Sequence, residues 1–349
     1  YNEKPEVDTS NFKTVLYDGS GGAQYISNVG FQPDFTWIKS RTSNSYPNNV
    51  LQDSVRGANQ YIISESSGQQ YTNSTFGSFD ANGFTLTSGN VTWNGSGSDY
   101  VAWNWKAGGP AVSNTDGTIA SQVSANQAAG FSIVRNTGTS NYSDTIGHGL
   151  SQAPEIIIQK GLGNSVDWYV LFNIDGTGGW DYAKLNTTDA FGPDNPVRFG
   201  TSSTTINNWG WTNYDMINYC WHSVAGYSKI GTYTGGGTTK RIYVDSNDDG
   251  TGTGGFKPSF VMIKASSSLG GNQTYGSWVI HDDKRAIEST DNVTNPLYAN
   301  RNYQEGLRGQ GSSGSGVLDL AFNDDGFTIN HNGYEANGSG IAYIYMAFK

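Results

Sequence analysis

An acidic segment in the last third of the chain has the spacing of a calcium-binding loop. Asp245, Asn247 and Asp249 place oxygen atoms at positions 1, 3 and 5, and a glycine follows at position 6. Calcium binds such hard oxygen ligands, and the glycine allows the sharp turn between them. Position 12 is Phe256, so the bidentate glutamate of a complete loop is missing. The segment therefore indicates either a calcium site or a polar turn between strands, and we predict no other cofactor.

Three carboxylates near residue 300 have the residue types of a glycosidase pair. Hydrolysis of a glycosidic bond needs an acid and a base or nucleophile on opposite sides of one bond, which Asp282, Asp283 and Glu305 could supply. However, neighbouring residues of a strand point to opposite faces, so Asp282 and Asp283 would not face one substrate together. We therefore predict no catalytic residue in this group.

A spaced Asp and Arg pair gives these carboxylates a simpler interpretation. Asp53-x-x-Arg56 is repeated as Asp282-x-x-Arg285, with Asn173 near the equivalent place between them. A pair that returns at equivalent positions is typical of a structural ion pair that closes a turn. The sequence thus favours a protein that is not an enzyme.

The histidines and the single cysteine give no sign of metal chemistry. None of the four histidines has the spacing of a two-histidine metal motif. Cys220 lies between Tyr219 and Trp221 in a strand-like run, where a lone cysteine is usually a small buried hydrophobe. One cysteine also excludes a disulfide framework and a cysteine-based metal cluster.

Four aromatic residues are candidates for contact with a ligand. Trp209 falls where the other copies of a repeated block have the polar turn residues Asn82 and Asp325. Aromatic side chains on loops can stack on sugars or pack in a protein interface, whereas most aromatics of an all-β chain fill its core. We predict a glycan or partner contact at Trp180, Tyr182, Trp209 and Tyr214.

Composition restricts the possible partners. The chain has 349 residues, of which 47 are Gly and only 14% are charged, and its net charge is -10. Such a chain has no basic stripe for nucleic acid. No apolar run approaches the roughly 18 residues that cross a bilayer, so we predict no membrane insertion.

Short alternating or apolar runs separated by Gly, Asn, Asp and Ser predict an all-β fold. The block that begins at Gly30 and ends at Lys39 returns at Gly255 to Lys264 and, with two inserted residues, at Gly149 to Lys160. We therefore predict three tandem antiparallel β-sandwich or jelly-roll repeats. The predicted division is an N-terminal extension (1–9), repeat 1 (10–109), a small polar linker or arm (110–130), repeat 2 (131–225) and repeat 3 (226–349).

The repeated blocks resemble a module of marine bacteriophage virion proteins, of the tail-fibre or uncharacterised structural type. The resemblance covers most of the chain and includes Ala102-Trp103-Asn104-Trp105-Lys106-Ala107-Gly108-Gly109, Tyr219-Cys220-Trp221-His222-Ser223-Val224 and Tyr343-Ile344-Tyr345-Met346-Ala347-Phe348. It implies a location in the virion, other virion proteins as partners, and a role in assembly or adhesion. It also implies a homotrimer, as in phage fibres.

These observations lead to one leading function and two alternatives. We expect a non-enzymatic virion protein, of the tail-fibre type, that attaches to a host-surface glycan. The first alternative is a capsid decoration or assembly protein without a host ligand. The second is a secreted polysaccharide-degrading enzyme, which would need two carboxylates roughly 5 to 9.5 Å apart in a cleft.

Overall fold

The computed structural model describes residues 11–42, 46–173, 180–192, 200–208, 213–245, 254–269, 276–285, 295–305 and 320–349, and almost all of its regular structure is β. The all-β fold class predicted from the sequence is confirmed. No helix within the described ranges is long and apolar enough to span a membrane.

The strands follow one another along the three repeats. The first repeat contains β1 (Phe12–Asp18), β2 (Gln24–Ile26), β3 (Phe35–Ser40), β4 (Asn49–Asp53), β5 (Gln60–Ile63), β6 (Tyr71–Thr72), β7 (Phe76–Asp80), β8 (Gly83–Leu86) and β9 (Asp99–Trp105). The next part of the chain contains β10 (Val112–Asn114), β11 (Ser121–Asn126), β12 (Phe131–Thr137), β13 (Thr145–Gly147), β14 (Ile156–Gly161), β15 (Tyr169–Phe172), β16 (Asp181–Lys184), β17 (Thr205–Asn207) and β18 (Asp215–Trp221). The third repeat contains β19 (Ser228–Thr234), β20 (Lys240–Tyr243), β21 (Phe260–Ala265), β22 (Val279–Asp282), a 3-10 turn (Asp283–Arg285), β23 (Leu297–Tyr298), β24 (Leu320–Asn323), β25 (Gly326–Ile329) and β26 (Ala342–Phe348).

Each repeat builds one large antiparallel sheet with the same strand order. The shared orders are β1-β9-β3-β4-β5, β12-β18-β14-β15-β16 and β19-β26-β21-β22-β23; β6 extends the first sheet beyond β5, and β10 and β11 extend the second beyond β12. The last strand of every repeat, its closing strand, thus pairs between its first strand and the strand of the repeated block. A small sheet accompanies each large one: β2-β8-β7, β13-β17 and β20-β25-β24. This strand order agrees with the three predicted repeats.

The hairpins within two small sheets depend on glycine. Gly83 and Gly326 begin β8 and β25 with φ of 148° and 155°. A Cβ at either position would clash with a backbone carbonyl oxygen, that of Ile26 or that of Ile242. The predicted hairpin turns before Gly83 and Gly326 therefore form as the sequence indicated.

The large sheets are buried on both faces, which explains their nearly continuous apolar sequences. In β9, Trp103 and Trp105 point to a core shared by all three repeats, whereas Tyr100 and Ala102 point to a core within repeat 1. The strands β18 and β26 alternate in the same way. Among the described residues, an inner core thus lies between the three large sheets, and an outer core lies between each large sheet and its small sheet.

The segment predicted as a linker, 110–130, belongs to the second large sheet. Its strand β11 pairs with β12, and β10 pairs with β11 at the edge of that sheet. The carboxylate of Asp34 holds the connection from repeat 1, because its Oδ2 accepts hydrogen bonds from the backbone N–H groups of Ala107 at 2.8 Å and Gly109 at 3.2 Å. The linker prediction is wrong for these strands. Each pairs with its neighbour in sequence, but their small and polar residues lack the apolar alternation that indicates a strand.

Equivalent hydrogen bonds join the repeats around the inner core. Trp168 of repeat 2 donates from Nε1 to the carbonyl oxygen of Ile63 in repeat 1 at 2.9 Å. Trp278 of repeat 3 donates in the same way to the carbonyl oxygen of Lys184 in repeat 2 at 3.0 Å. Both tryptophans are buried, so each bond replaces water at a donor that would otherwise be unsatisfied.

A third bond closes the ring. Asn49 holds the equivalent place in repeat 1, and its Nδ2 donates to the carbonyl oxygen of Tyr298 in repeat 3 at 3.0 Å. The three donors hold equivalent places in the strand register. Each directly precedes the residue that pairs, within its own repeat, with that repeat's acceptor, as Asn49 precedes Val50, which pairs with Ile63. Repeat 2 thus contacts repeat 1, repeat 1 contacts repeat 3, and repeat 3 contacts repeat 2, in a pseudo-threefold arrangement.

Replacing one of the tryptophans that donate these inter-repeat hydrogen bonds should lower the stability by more than the loss of side-chain volume explains. Trp93 is a suitable control because it is fully buried in an outer core and its Nε1 has no hydrogen-bond partner among the described residues. We expect Trp168→Phe to lower the free energy of unfolding by about 1 kcal/mol more than Trp93→Phe, as for one hydrogen bond. Guanidinium unfolding measures both. Equal losses would contradict a stabilising contribution of the bond.

Candidate functional site

The structure buries one of the aromatic residues predicted to contact a ligand. Trp180 is 2% exposed and belongs to the outer core of repeat 2. Tyr182, two residues later on β16, is half-buried against the same core, with its ring 5.9 Å from that of Tyr169. The predicted surface contact at Trp180 is therefore wrong, because a Gly-rich sequence context did not reveal that this side chain fills a core.

Of the two other predicted aromatic contacts, Tyr214 is described by the structure. Tyr214 is half-buried immediately before β18, where its carbonyl oxygen accepts a hydrogen bond from the N–H of Gly138 at 2.8 Å. Trp209 lies outside the described residues. A glycan contact at Tyr182, Trp209 or Tyr214 stays a prediction.

The predicted calcium ligands fall partly outside the described residues. Asn247 and Asp249 belong to that part, whereas Asp245 is described and is 1% exposed. Across the described ranges, no group of three or more His, Cys, Asp or Glu side chains is placed to hold a metal ion. Asp245 instead lines a groove between repeats 2 and 3.

Cys220 is part of the core, as predicted. Its side chain is fully buried in the outer core of repeat 2. Burial raises the pKa of its thiol to about 12, so the thiol stays protonated at neutral pH. The residue has neither the exposure nor the ionisation that a nucleophile needs.

The predicted Asp53 and Arg56 pair is present and joins two repeats. Both side chains are fully buried, with Arg56 Nε 2.5 Å from Asp53 Oδ2. Arg56 also donates from Nη2 to the carbonyl oxygen of Leu51 at 3.0 Å. The hydroxyl of Tyr219 in repeat 2 donates to the same Asp53 oxygen at 2.7 Å. Burial raises the pKa of Tyr219 well above its usual value, which keeps this hydroxyl protonated as a donor.

The equivalent pair in repeat 3 repeats this geometry with a different donor. Arg285 Nε lies 2.6 Å from Asp282 Oδ2, and both side chains are fully buried. Trp103 of repeat 1 donates from Nε1 to that oxygen at 2.9 Å, and the Arg285 guanidinium carbon lies 5.8 Å from the centre of a Trp103 ring. Asp282 is thus held by structural partners, which confirms the ion-pair interpretation.

Repeat 2 replaces the charged contact with an apolar one. Strand register puts Phe172 at the place of Asp53 and Asp282, rather than Asn173 as the sequence suggested. Met346 on β26 holds the place that the hydrogen-bond donors Trp103 and Tyr219 hold on β9 and β18. Both Met346 and Phe172 belong to the inner core. Both equivalent positions are therefore apolar at this third place, so neither needs a hydrogen-bond partner.

Three fully buried lysines occupy equivalent places near the ring bonds. The Nζ atom of each donates to the backbone carbonyl oxygen of the residue two positions before Asn49, Trp168 or Trp278. The pairs are Lys39 to Pro47, Lys160 to Val166 and Lys264 to Gly276. Lys160 and Lys264 also donate to the preceding repeat in the ring, to the carbonyl oxygens of Ser67 at 3.3 Å and Thr188 at 3.1 Å. Burial lowers the pKa of Lys39 and Lys160 to about 8 and that of Lys264 to about 7.

The groove between repeats 2 and 3 has a volume of 590 Å³ and is lined by aromatic and charged side chains. Repeat 2 contributes Glu155, Phe172 and Asn173, and repeat 3 contributes residues of β19, β20 and β26. Its size lies within the usual range of small-molecule sites. The lining residues of repeat 3 are Lys229, Ile230, Gly231, Thr232, Tyr233, Lys240, Arg241, Ile242, Tyr243, Asp245 and Tyr345.

Contacts within repeat 3 fix the walls of this groove. The Arg241 guanidinium carbon lies 5.3 Å from the centre of the Tyr243 ring, and Arg241 forms an ion pair with Asp325. Arg241 Nη1 also donates to Thr328 Oγ1 at 3.1 Å. The hydroxyl of Tyr345 donates to the carbonyl oxygen of Tyr243 at 3.3 Å. These bonds hold the polar and aromatic groups in place before any ligand arrives.

This groove was not predicted from the sequence, although a difference between the repeats marks its position. Gly231 and Tyr345 are paired across β19 and β26, where repeat 1 has Val15 and Ala102. A Cβ at Gly231 would lie 2.8 Å from the Tyr345 hydroxyl oxygen, so the glycine makes room for the ring. Aligning the repeats and looking for positions where the residue type changes would have identified this pair.

Comparison with known proteins places nearly the whole chain in one family. A family model described as a domain of unknown function (DUF7483) matches residues 8–349. The chain belongs to the DUF7483 family. No curated protein and no solved structure matches it. The DUF7483 match thus spans all three repeats, and its description carries no activity.

The buried Asp282 should be far more important to stability than its neighbour Asp283. Loss of the Asp282 carboxylate removes the nearer ion-pair partner of the buried Arg285, whose other carboxylate, Glu305, lies 3.6 Å away, and it leaves Trp103 Nε1 without its acceptor. This should cost about 3 kcal/mol. Asp283 forms a partly exposed pair with Lys284, so Asp283→Ala should cost about 1 kcal/mol or less. Urea unfolding of Asp282→Ala and Asp283→Ala measures the difference, and similar losses would contradict the assignment.

The buried lysines should make the folded state more stable as pH rises from 7 to 9. Lys264 has a pKa of about 7 in the folded chain. An unfolded lysine has a pKa near 10.4, so between these values the unfolded state binds more protons and a higher pH favours folding. We expect the wild type to gain on the order of 1 to 2 kcal/mol relative to Lys264→Met over this interval.

Denaturant titrations at pH 7 and pH 9 test this difference. Lys13, which is exposed on β1, provides the control variant Lys13→Met. This variant should follow the pH dependence of the wild type. Parallel pH dependence of the wild type and Lys264→Met would show that Lys264 is not titrating in this range.

Proposed function

We propose that the protein is a non-enzymatic structural component of a phage virion that also attaches to the host surface. The observation that carries this proposal is the closed ring of hydrogen bonds from Trp168, Trp278 and Asn49. A ring that ties every repeat to both others is suited to load-bearing assembly, because no repeat can separate without breaking two contacts. The resemblance of the repeated blocks to phage virion proteins supports the virion location.

The charged residues that could suggest an enzyme support the same proposal. Asp282 is engaged by Arg285 and Trp103, and Glu305 lies 2.5 Å from Arg41 Nε. Carboxylates paired in this way are suited to holding repeats together. A glycosidase would require an acid and a base that converge on one cleft.

The ring also affects the proposed oligomeric state. The inner faces of the three large sheets, which would be natural surfaces for a trimer of single repeats, are already buried against one another. A homotrimer of the whole chain would therefore use other surfaces. Contacts with other virion proteins would likewise be made by the outer surface of the ring.

Binding of the purified chain to cells tests the adhesive part of this proposal. Fluorescently labelled protein is added to host bacteria of a phage that encodes this chain, and to purified heads of that phage lacking it. We expect saturable binding to cells that is competed by unlabelled protein and absent for a thermally unfolded sample. Saturable binding to heads without binding to cells would overturn adhesion and favour capsid decoration; binding to neither would overturn adhesion as well.

A further inference from the structure

We infer that the groove between repeats 2 and 3 is a binding site for a short, uncharged saccharide. This inference rests on the proposed adhesive function and gives it a location. The groove is open at the surface and has a volume of 590 Å³, enough for a few sugar rings. Its lining combines aromatic faces with hydrogen-bonding side chains, the combination that binds sugars by stacking and by bonds to hydroxyl groups.

The aromatic part of the site comes from repeat 3. Tyr233 and Tyr243 are half-buried, so part of each side chain is accessible, and Tyr345 lies beneath them with 3% exposure. Tyr233 is held in place because its ring stacks on Tyr343 at 5.0 Å and its hydroxyl donates to the carbonyl oxygen of Ala336 at 2.6 Å. Rigid rings lose little conformational entropy when a ligand binds.

The polar part of the site has both donors and acceptors. Lys240, Arg241 and Asn173 can donate hydrogen bonds, and the carboxylate of Glu155 can accept them. Glu155 is oriented by Ser223, whose N–H and Oγ both donate to Glu155 Oε2, at 3.1 Å and 2.5 Å. A hydroxyl group both donates and accepts, so a polyhydroxyl ligand suits this lining.

Charge selects against an acidic sugar. The lining contains the cations Lys229, Lys240 and Arg241 and the anions Glu155 and Asp245, and the charge of Arg241 is further balanced by Asp325 outside the groove. This leaves no excess of positive charge to bind a carboxylate or sulfate. The groove therefore favours an uncharged saccharide.

The site in repeat 3 differs from the equivalent place in repeat 1 at three positions. Val15 and Ala102 face each other across β1 and β9, whereas Gly231 and Tyr345 do so across β19 and β26. Tyr243 follows the strand residue Ile242 that corresponds to Ile26, so its counterpart in repeat 1 is a serine. The exchanges bring two rings into the groove while the strand pairing stays the same.

Saturation-transfer NMR and titration calorimetry of the full chain test the inference. The probes are maltohexaose, cellohexaose, mannohexaose and chitohexaose, with a hexauronate as the acidic comparison. We expect at least one neutral probe to bind and its affinity to fall at least about tenfold in Tyr243→Ala. The double variant Gly231→Val/Tyr345→Ala transplants the pair of repeat 1, so it should fold and lose the same affinity.

Tyr25→Ala is the matched control, because Tyr25 is 50% exposed on β2, the strand of repeat 1 that corresponds to β20. The Tyr25→Ala variant should bind the neutral probe with the affinity of the wild type. Binding of no neutral probe, binding of the hexauronate alone, or unchanged affinity in both groove variants would overturn the inference. If the groove variants bind cells as well as the wild type does, the protein is still adhesive but the groove is not the site of adhesion.

Discussion

The whole molecule depends on burying the inner faces of three large sheets against one another. The last residues of the closing strands converge there: the rings of Trp105 and Trp221 are 6.3 Å apart, and those of Trp105 and Phe348 are 5.6 Å apart. One repeat alone would leave this aromatic face in water, at a cost that grows with the apolar area exposed. All three repeats therefore contribute side chains to one inner core, whereas each outer core lies within a single repeat.

Polar contacts around this core define the order of the repeats. A buried carboxylate is tolerable only with its full set of hydrogen bonds, which explains why Asp53 meets Tyr219 and Asp282 meets Trp103. The third contact contains Phe172 and Met346, which need no such partners. Exchanging two repeats would place a carboxylate opposite an apolar side chain, so these contacts give the ring a unique arrangement as well as stability.

Departures between the repeats have two physical origins. Some, such as Asn49 in place of Trp168 and Trp278, preserve one interaction with another donor. Others, such as Gly231 and Tyr345, change the shape of the surface without disturbing the strand register. The first kind maintains the ring and the second kind opens the groove.

The sequence by itself determined the all-β class, the recurrence of one sequence block, the structural role of the Asp and Arg pairs and the burial of Cys220. These features are local or repeated, since strand alternation and an i, i+3 pair are visible within a few residues. Only the tertiary structure decided that 112–114 and 121–126 are strands, that Trp180 is buried and that the groove exists. The two strands carry small polar residues without apolar alternation, so their pairing with neighbouring strands was not visible in the sequence. The burial of Trp180 and the groove depend on packing between residues distant in sequence, because an aromatic residue in a glycine-rich context can be exposed or buried depending on which sheet covers it.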